Sequence, residues 1–346
     1  MSLKDLLNYS RRNFLPLFLL FMSLLINSGS IFYYFYRFNN LVLLVSLILS
    51  LFLTCLFIYF SISTTNQQEK ILSENKEQKS SAGRKILQTG LSLSVSVLFF
   101  FLFRLLLNTS SSSAIASPWL FLPNYFWLLL WLLLLFIFAS FYLKNKLSYL
   151  FLTLLYFLFF SISFFVYKIA FGYDQLLHQR AISDIYNFGL IVPKTIYYIG
   201  QYVLELSLLK IWPFSPEYLD RLLVPFLATI FIPLTFLFNF SKRGFVKTIW
   251  PLTLLLILPF SIFTYTVPQN LAFLFLLILL LFSFNQKFVS QKINFIFLFS
   301  LAFSIFFIHP LAGVPALIFV FLLSLDKINS LNIFKLKIAI GLKVKK

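Results

Sequence analysis

Runs of uncharged apolar residues decide most of what this chain can fold into. Leu41–Ile58, Trp127–Leu143 and Leu271–Phe284 contain no Asp, Glu, Lys or Arg. Alone or with their flanks they are long enough to cross roughly 30 Å of hydrocarbon, which takes about 20 helical residues. With 60% hydrophobic and 11% charged residues over 346 positions, the chain is too apolar to pack as one soluble domain. The expected fold is all-α: a polytopic helical membrane protein with about ten transmembrane helices.

The expected spans are Phe14–Tyr36, Leu41–Ser63, Ile86–Leu107, Tyr125–Leu143 and Leu147–Tyr167, then Tyr218–Phe240, Thr248–Tyr265, Leu271–Phe284, Ile293–Ile308 and Leu311–Leu325. Asn27-Ser28-Gly29-Ser30 interrupts the first. No small-residue cleavage pattern follows a short apolar core there, so it reads as a retained span and not a signal peptide. Residues 1–146 form a four-span region with a polar linker at 64–85. Residues 147–325 form a six-span core, and 326–346 a basic tail. The 49 Phe against 9 Gly read as lipid-facing bulk. Cys55, in mid-span, excludes an internal disulfide and reads as inert core.

The net charge of +18 raises nucleic acid as a partner, but its placement argues for topology instead. With the N-terminus cytoplasmic, the inside segments are 1–13, 64–85, 144–146, 241–247, 286–292 and the tail. They hold 21 of the 28 Lys and Arg. This is the positive-inside pattern, with both termini cytoplasmic and no call for nucleic acid. The segment Ile196–Trp212 carries Gln201, Glu205 and Lys210 and is short for a span. Counting it as one would flip every later loop, so it reads as an amphipathic helix lying at the interface.

The same parity puts three polar turns outside: Phe171–Lys194, Thr264–Asn270 and Ile308–Gly313. Asp174 and His178 are four residues apart and share a face if the first is helical. That spacing permits a divalent metal such as Mg or Mn, although two ligands do not establish one. The turns add Arg180, Lys194, Gln269, Asn270 and His309, and both histidines of the chain lie in them. Separate turns converging on one membrane face would build a site between helices. Each residue also has a plainer reading. Asp174 would serve as a helix cap, Arg180 and Lys194 as solvated or headgroup-facing cations, and His309-Pro310 as a break between helices.

The order of elements resembles the GT-C superfamily of integral-membrane glycosyltransferases. The resemblance rests on YDQLLH at 173–178, GLIVPKTIYYIGQ at 189–201, TVPQNLA at 266–272 and HPLAG at 309–313. It implies transfer of a sugar from a polyprenyl-phosphate-linked donor to an acceptor on the outer face. Asp174 would be the catalytic carboxylate and His178 its catalytic neighbour. Arg180, Lys194, Gln269, Asn270 and His309 would bind substrate. Two departures stand out: four spans precede the similar core, and the further helices and soluble domain usual in the superfamily do not follow it. The chain would then be a C-terminally truncated relative. A transporter or flippase-like protein for a lipid-linked or anionic substrate is the alternative, and a non-catalytic membrane fragment a third.

The topology is testable. In a Cys55→Ser background, cysteines at Ser112 and Ser183 should label with an impermeant maleimide in intact cells, and one at Gln78 should not. Labelling of Gln78 alone would reverse the orientation.

Overall fold

The computed structural model describes residues 9–10, 13–65, 82–113, 117–169, 171, 173–195, 197–212, 214–240, 251–252, 256 and 261–339. Among them the chain is helical, with one isolated bridge between Ser111 and Tyr167 and no strand. The helices are α1 (Phe14–Phe35), α2 (Asn40–Thr65), α3 (Ala82–Asn108), α4 (Asn124–Tyr142), α5 (Ser148–Phe160), α6 (Ile162–Val166) and α7 (Tyr173–Phe188). After them come α8 (Ile199–Ile211), α9 (Pro216–Phe240), α10 (Pro268–Ser283), α11 (Gln286–Val289), α12 (Asn294–Ile308) and α13 (Pro310–Ala339).

Among the described residues five helices are long and apolar enough to cross a membrane: α1, α2, α3, α4 and α9. Helices α5, α10, α12 and the Pro310–Leu325 part of α13 are apolar but shorter, at 10–17 residues. At 1.5 Å per residue these reach about 15–25 Å, less than the ~30 Å of a typical hydrocarbon core. The structure therefore supports a helical membrane protein with several spans, and it differs from the sequence reading in detail. The expected fifth span breaks at Ser161 into α5 and α6. The tenth continues without interruption into the stretch expected to be a tail. Most of the expected seventh span, and the 64–85 linker from 66 to 81, fall outside the described residues.

The chain forms two compact units that interleave along the sequence. The first comprises Met1–Thr64, Gly189–Leu204 and Phe275–Lys346; the second comprises Thr65–Phe188 and Glu205–Leu274. Neither begins at the 146/147 boundary drawn from the sequence.

In the first unit α12 packs against both α1 and α13. Lipid tails are as apolar as Leu, so helices in a bilayer are held by close packing and interhelical hydrogen bonds more than by hydrophobic burial. Both devices are present. Asn27 Nδ2 donates to the Ser300 carbonyl at 2.9 Å, and Ser304 Oγ donates to Asn27 Oδ1 and to the Ser23 carbonyl, each at 3.0 Å. Ser23 and Ser300 hydroxyls meet at 2.8 Å. The Asn-Ser-Gly-Ser stretch expected to interrupt the first span is thus its packing face. Gly29 faces another side of α1, toward α8, where a Cβ would lie 2.5 Å from Val203 Cγ1. At the α12–α13 turn a Cβ on Gly313 would meet Phe306 Cα at 2.1 Å, so glycine lets the two backbones approach.

In the second unit α3 packs on α4, and α9 packs on α5 and α7. Helix α9 contains Pro225 and Pro233. Proline at 225 cannot donate to the Arg221 carbonyl, and side chains serve the backbone groups beside it. Val224 N–H donates to Thr266 Oγ1 at 3.1 Å, and the Asp220 carbonyl accepts from Gln175 Nε2 at 3.0 Å.

Helix α8 departs most from expectation. An interfacial amphipathic helix leaves one side open, whereas every residue from Ile199 to Ser207 is buried, Gln201 and Glu205 included. Cys55, expected in the core, is exposed on α2.

Overpacking tests the close approach. Gly313→Ala should destabilise the protein by about 1–3 kcal/mol in detergent thermal melts. Gly90→Ala, where a Cβ meets nothing within 4 Å, should be neutral or slightly stabilising, because alanine is the better helix former.

Candidate functional site

Phe171–Lys194 was expected to hold the chemistry, and most of it is the polar helix α7. Asp174 stands exposed within the first turn, where a carboxylate favours the positive end of the helix dipole. It lies inside the helix, which sets aside the reading of Asp174 as the cap before it. His178 follows one turn later and is half-buried. Burial holds its imidazole pKa down at about 4 against the opposing pull of the Asp174 carboxylate, so the ring is neutral at pH 7. Arg180 is directed at Asp184, with Nε 3.2 Å from Oδ1, in an exposed i,i+4 pair.

The inner face of α7 was not foreseen. Gln175 is buried and bridges two segments: its Oε1 accepts from Phe171 N–H at 3.0 Å while its Nε2 donates to the Asp220 carbonyl. Asp220 is wholly buried near the start of α9, with neither carboxyl oxygen in a hydrogen bond, although the amides of Gln179 and Gln175 lie close. Arg221 turns the other way. Its guanidinium donates to the carbonyls of Phe164 at 2.9 Å, Lys168 at 3.2 Å and Tyr167, and lies 4.0 Å from Glu217. It thereby satisfies the carbonyls that the end of α6 leaves without partners. One signal for both was available: adjacent ionisable residues at the head of an apolar span are functional or structural by default.

The turn at 264–270 also belongs to this unit. The Phe171 and Tyr265 rings meet edge-on with centroids 5.3 Å apart, and Thr266 serves α9. Asn270 is buried and donates to the Tyr265 carbonyl at 3.1 Å, which closes its own turn, while Gln269 is exposed. Pro268 opens α10, as its fixed φ favours. Asp174, His178, Arg180, Gln269 and Asn270 therefore share one unit. Within it Ser111 bridges to Tyr167, and residues of 171–175, 220–224 and 264–266 contact one another.

Lys194 and His309 belong to the first unit. The Lys194 ammonium donates to the last carbonyls of α1, at Tyr34 (3.3 Å), Tyr33 (3.4 Å) and Tyr36, and sits over the Tyr33 ring. Its three N–H bonds go to the carbonyls at a helix end. His309 joins α12 to α13: its N–H donates to Ile305 and its carbonyl accepts from Ala312 and Gly313. Its ring stacks on Tyr198, centroids 5.8 Å apart, and burial lowers its pKa. Nδ1 is buried without a hydrogen-bond partner, and Tyr198 sits at φ 70, the left-handed region that side chains other than glycine rarely occupy.

Among the described residues no three of His, Cys, Asp or Glu gather as a metal site. Asp174 and His178, whose spacing permits a divalent metal such as Mg or Mn, are joined by no third ligand there. Compared with known proteins, the chain matches no family model, no curated protein and no solved structure. None of these comparisons identifies the chain as a GT-C enzyme.

The His178 environment predicts acid sensitivity. Because the folded ring titrates near 4 and an unfolded one near 6.5, the unfolded chain binds the extra proton between these values. The contribution is fully present above pH 6.5 and is lost as pH falls toward 4. His178→Gln should flatten the thermal midpoint over that window, measured in detergent from pH 7.5 to 4.

Proposed function

We propose that the protein is a membrane glycosyltransferase that moves a sugar from a polyprenyl-phosphate-linked donor to a hydroxyl acceptor, with Asp174 as general base. The observation that carries this reading is the exposed Asp174 carboxylate in the first turn of a polar helix, with a neutral histidine one turn on. In the reaction the base takes the acceptor proton as the oxygen attacks the anomeric carbon. The bond from that carbon to the phosphate oxygen breaks, and the polyprenyl phosphate leaves with the electron pair. A neutral His178 has a ring nitrogen able to accept from a sugar hydroxyl, and Arg180 is the nearest cation along α7 for the departing phosphate. The expected setting is a multi-pass cell membrane with the site on the outer face.

Helix α8 favours a second reading, a transporter for a lipid-linked or anionic substrate. It is short, buried and polar, with Gln201, Glu205 and Ser207 in it and non-helical chain before it. Short helices that place polar groups inside a bundle are what transporters use at their binding sites.

One experiment separates them. Membranes carrying the protein should transfer label from a polyprenyl-phosphate hexose to an acceptor, and Asp174→Asn should lower the rate by about 10²–10⁴-fold at unchanged expression. Full transfer by Asp174→Asn would remove the base assignment. Translocation of the labelled lipid without transfer, equal in both proteins, would establish the transporter reading.

A further inference from the structure

At one end of the first unit the last turn of α1 meets the segment Gly189–Tyr198. Phe38 N–H donates to the Gly189 carbonyl at 2.7 Å, and Ile191 N–H donates to the Tyr33 hydroxyl at 3.0 Å. Lys194 closes the contact on the carbonyls at the end of α1. Arg37 lies in the middle of this junction. Its guanidinium sits 5.4 Å from the centroid of the exposed Tyr36 ring, and among the described residues it donates to no acceptor. Gly189, at φ 79, packs directly against its stem: a Cβ there would lie 3.4 Å from both Arg37 Cβ and Cδ. The side chain is therefore held between an aromatic face and a backbone while all its N–H donors remain open.

The charge around it is of one sign. No Asp or Glu occurs in residues 27–45 or 189–204, so neither Arg37 nor Lys194 has a carboxylate in either segment. Lys194 uses its hydrogen bonds on carbonyls, which leaves its full positive charge uncompensated beside Arg37. The residues that flank Arg37 place it at a membrane surface. Tyr34, Phe35 and Tyr36, all exposed, end a helix long and apolar enough to span, and aromatic residues concentrate at the headgroup level.

We propose that Arg37, backed by Lys194, binds the phosphate of an anionic membrane lipid at the end of α1. The planar guanidinium fork matches two phosphate oxygens, and stacking on Tyr36 orients it at little entropic cost. Lys194 adds field without competing for the same oxygens. The bound headgroup then ties α1 to the 189–198 segment through Arg37 and Gly189. This site is independent of the activity proposed above, because none of its residues acts on the sugar.

The test uses the full chain purified in a neutral detergent, with phosphatidylglycerol, phosphatidylcholine or inorganic phosphate as the added probe. Native mass spectrometry counts bound lipid and thermal melting reads its effect. Phosphatidylglycerol should bind and raise the melting midpoint, and phosphatidylcholine should do so at least tenfold more weakly. Arg37→Gln should remove the preference while leaving the lipid-free midpoint unchanged, since Arg37 makes no hydrogen bond to any described residue. Arg37→Lys should recover only part of it, having charge without the fork. Equal binding of both lipids, or a preference that survives Arg37→Gln, would overturn the proposal. Reproduction of the shift by millimolar phosphate alone would overturn the lipid as ligand, because the site would then hold a free anion.

Discussion

Within a bilayer no water is at hand to satisfy a peptide group, so each backbone N–H and C=O that a helix leaves unpaired must find a partner in the protein. The polar residues at the ends of these helices answer that demand. Arg221 serves the carbonyls of Phe164, Tyr167 and Lys168, Lys194 those of Tyr33, Tyr34 and Tyr36, Asn270 that of Tyr265 and Gln175 that of Asp220. Each bond between a charged donor and a carbonyl is worth about 1.5–3 kcal/mol, with the larger cost falling on a buried carbonyl left unmet. The polar content of the loops is spent first on backbone, and chemistry has what remains.

This priority explains how far the sequence could be read. The apolar runs located the long helices to within a few residues, because length and hydropathy follow directly from bilayer thickness. The three turns that charge parity grouped on one face divide between the two units: 171–188 and 264–270 lie in one, 189–194 and 308–313 in the other. Side-chain roles were less legible. A cation that caps a helix end and one whose donors stay open look alike in sequence, and only the fold tells Lys194 from Arg37. Asn27 and Ser28 read as an interruption because polarity in a span suggests a break. In three dimensions the same residues face Ser300, Ser304 and Ser50, and the helix runs through them.

Helix α8 shows a different limit. Its one Glu and one Lys argued against burial, as the insertion cost of each is roughly 2.5–3.5 kcal/mol at a helix centre. That cost applies to a helix facing lipid. Residues Ile199 to Ser207 are buried in protein, and Lys210, near the exposed end, places its ammonium 5.1 Å from the centroid of the Tyr186 ring. Burial in protein and burial in lipid carry the same hydropathy signature but different penalties. Thirteen residues, about 20 Å, suffice for the first and not for the second.

The two acids of the second unit complete the argument about the site. Asp220 is wholly enclosed and meets a substrate only if α7 and α9 separate, which would break the Gln175 bond to its own carbonyl. Asp174 needs no such opening. It is exposed on the same helix whose buried face holds α9 through Gln175. A single helix thus fixes itself through the buried Gln175 while the Asp174 carboxylate, next along the chain, stays exposed. A carboxylate fixed from behind and open in front can act on an arriving hydroxyl without a prior conformational step. That argument, more than any one motif, makes Asp174 the residue on which the proposed activity stands.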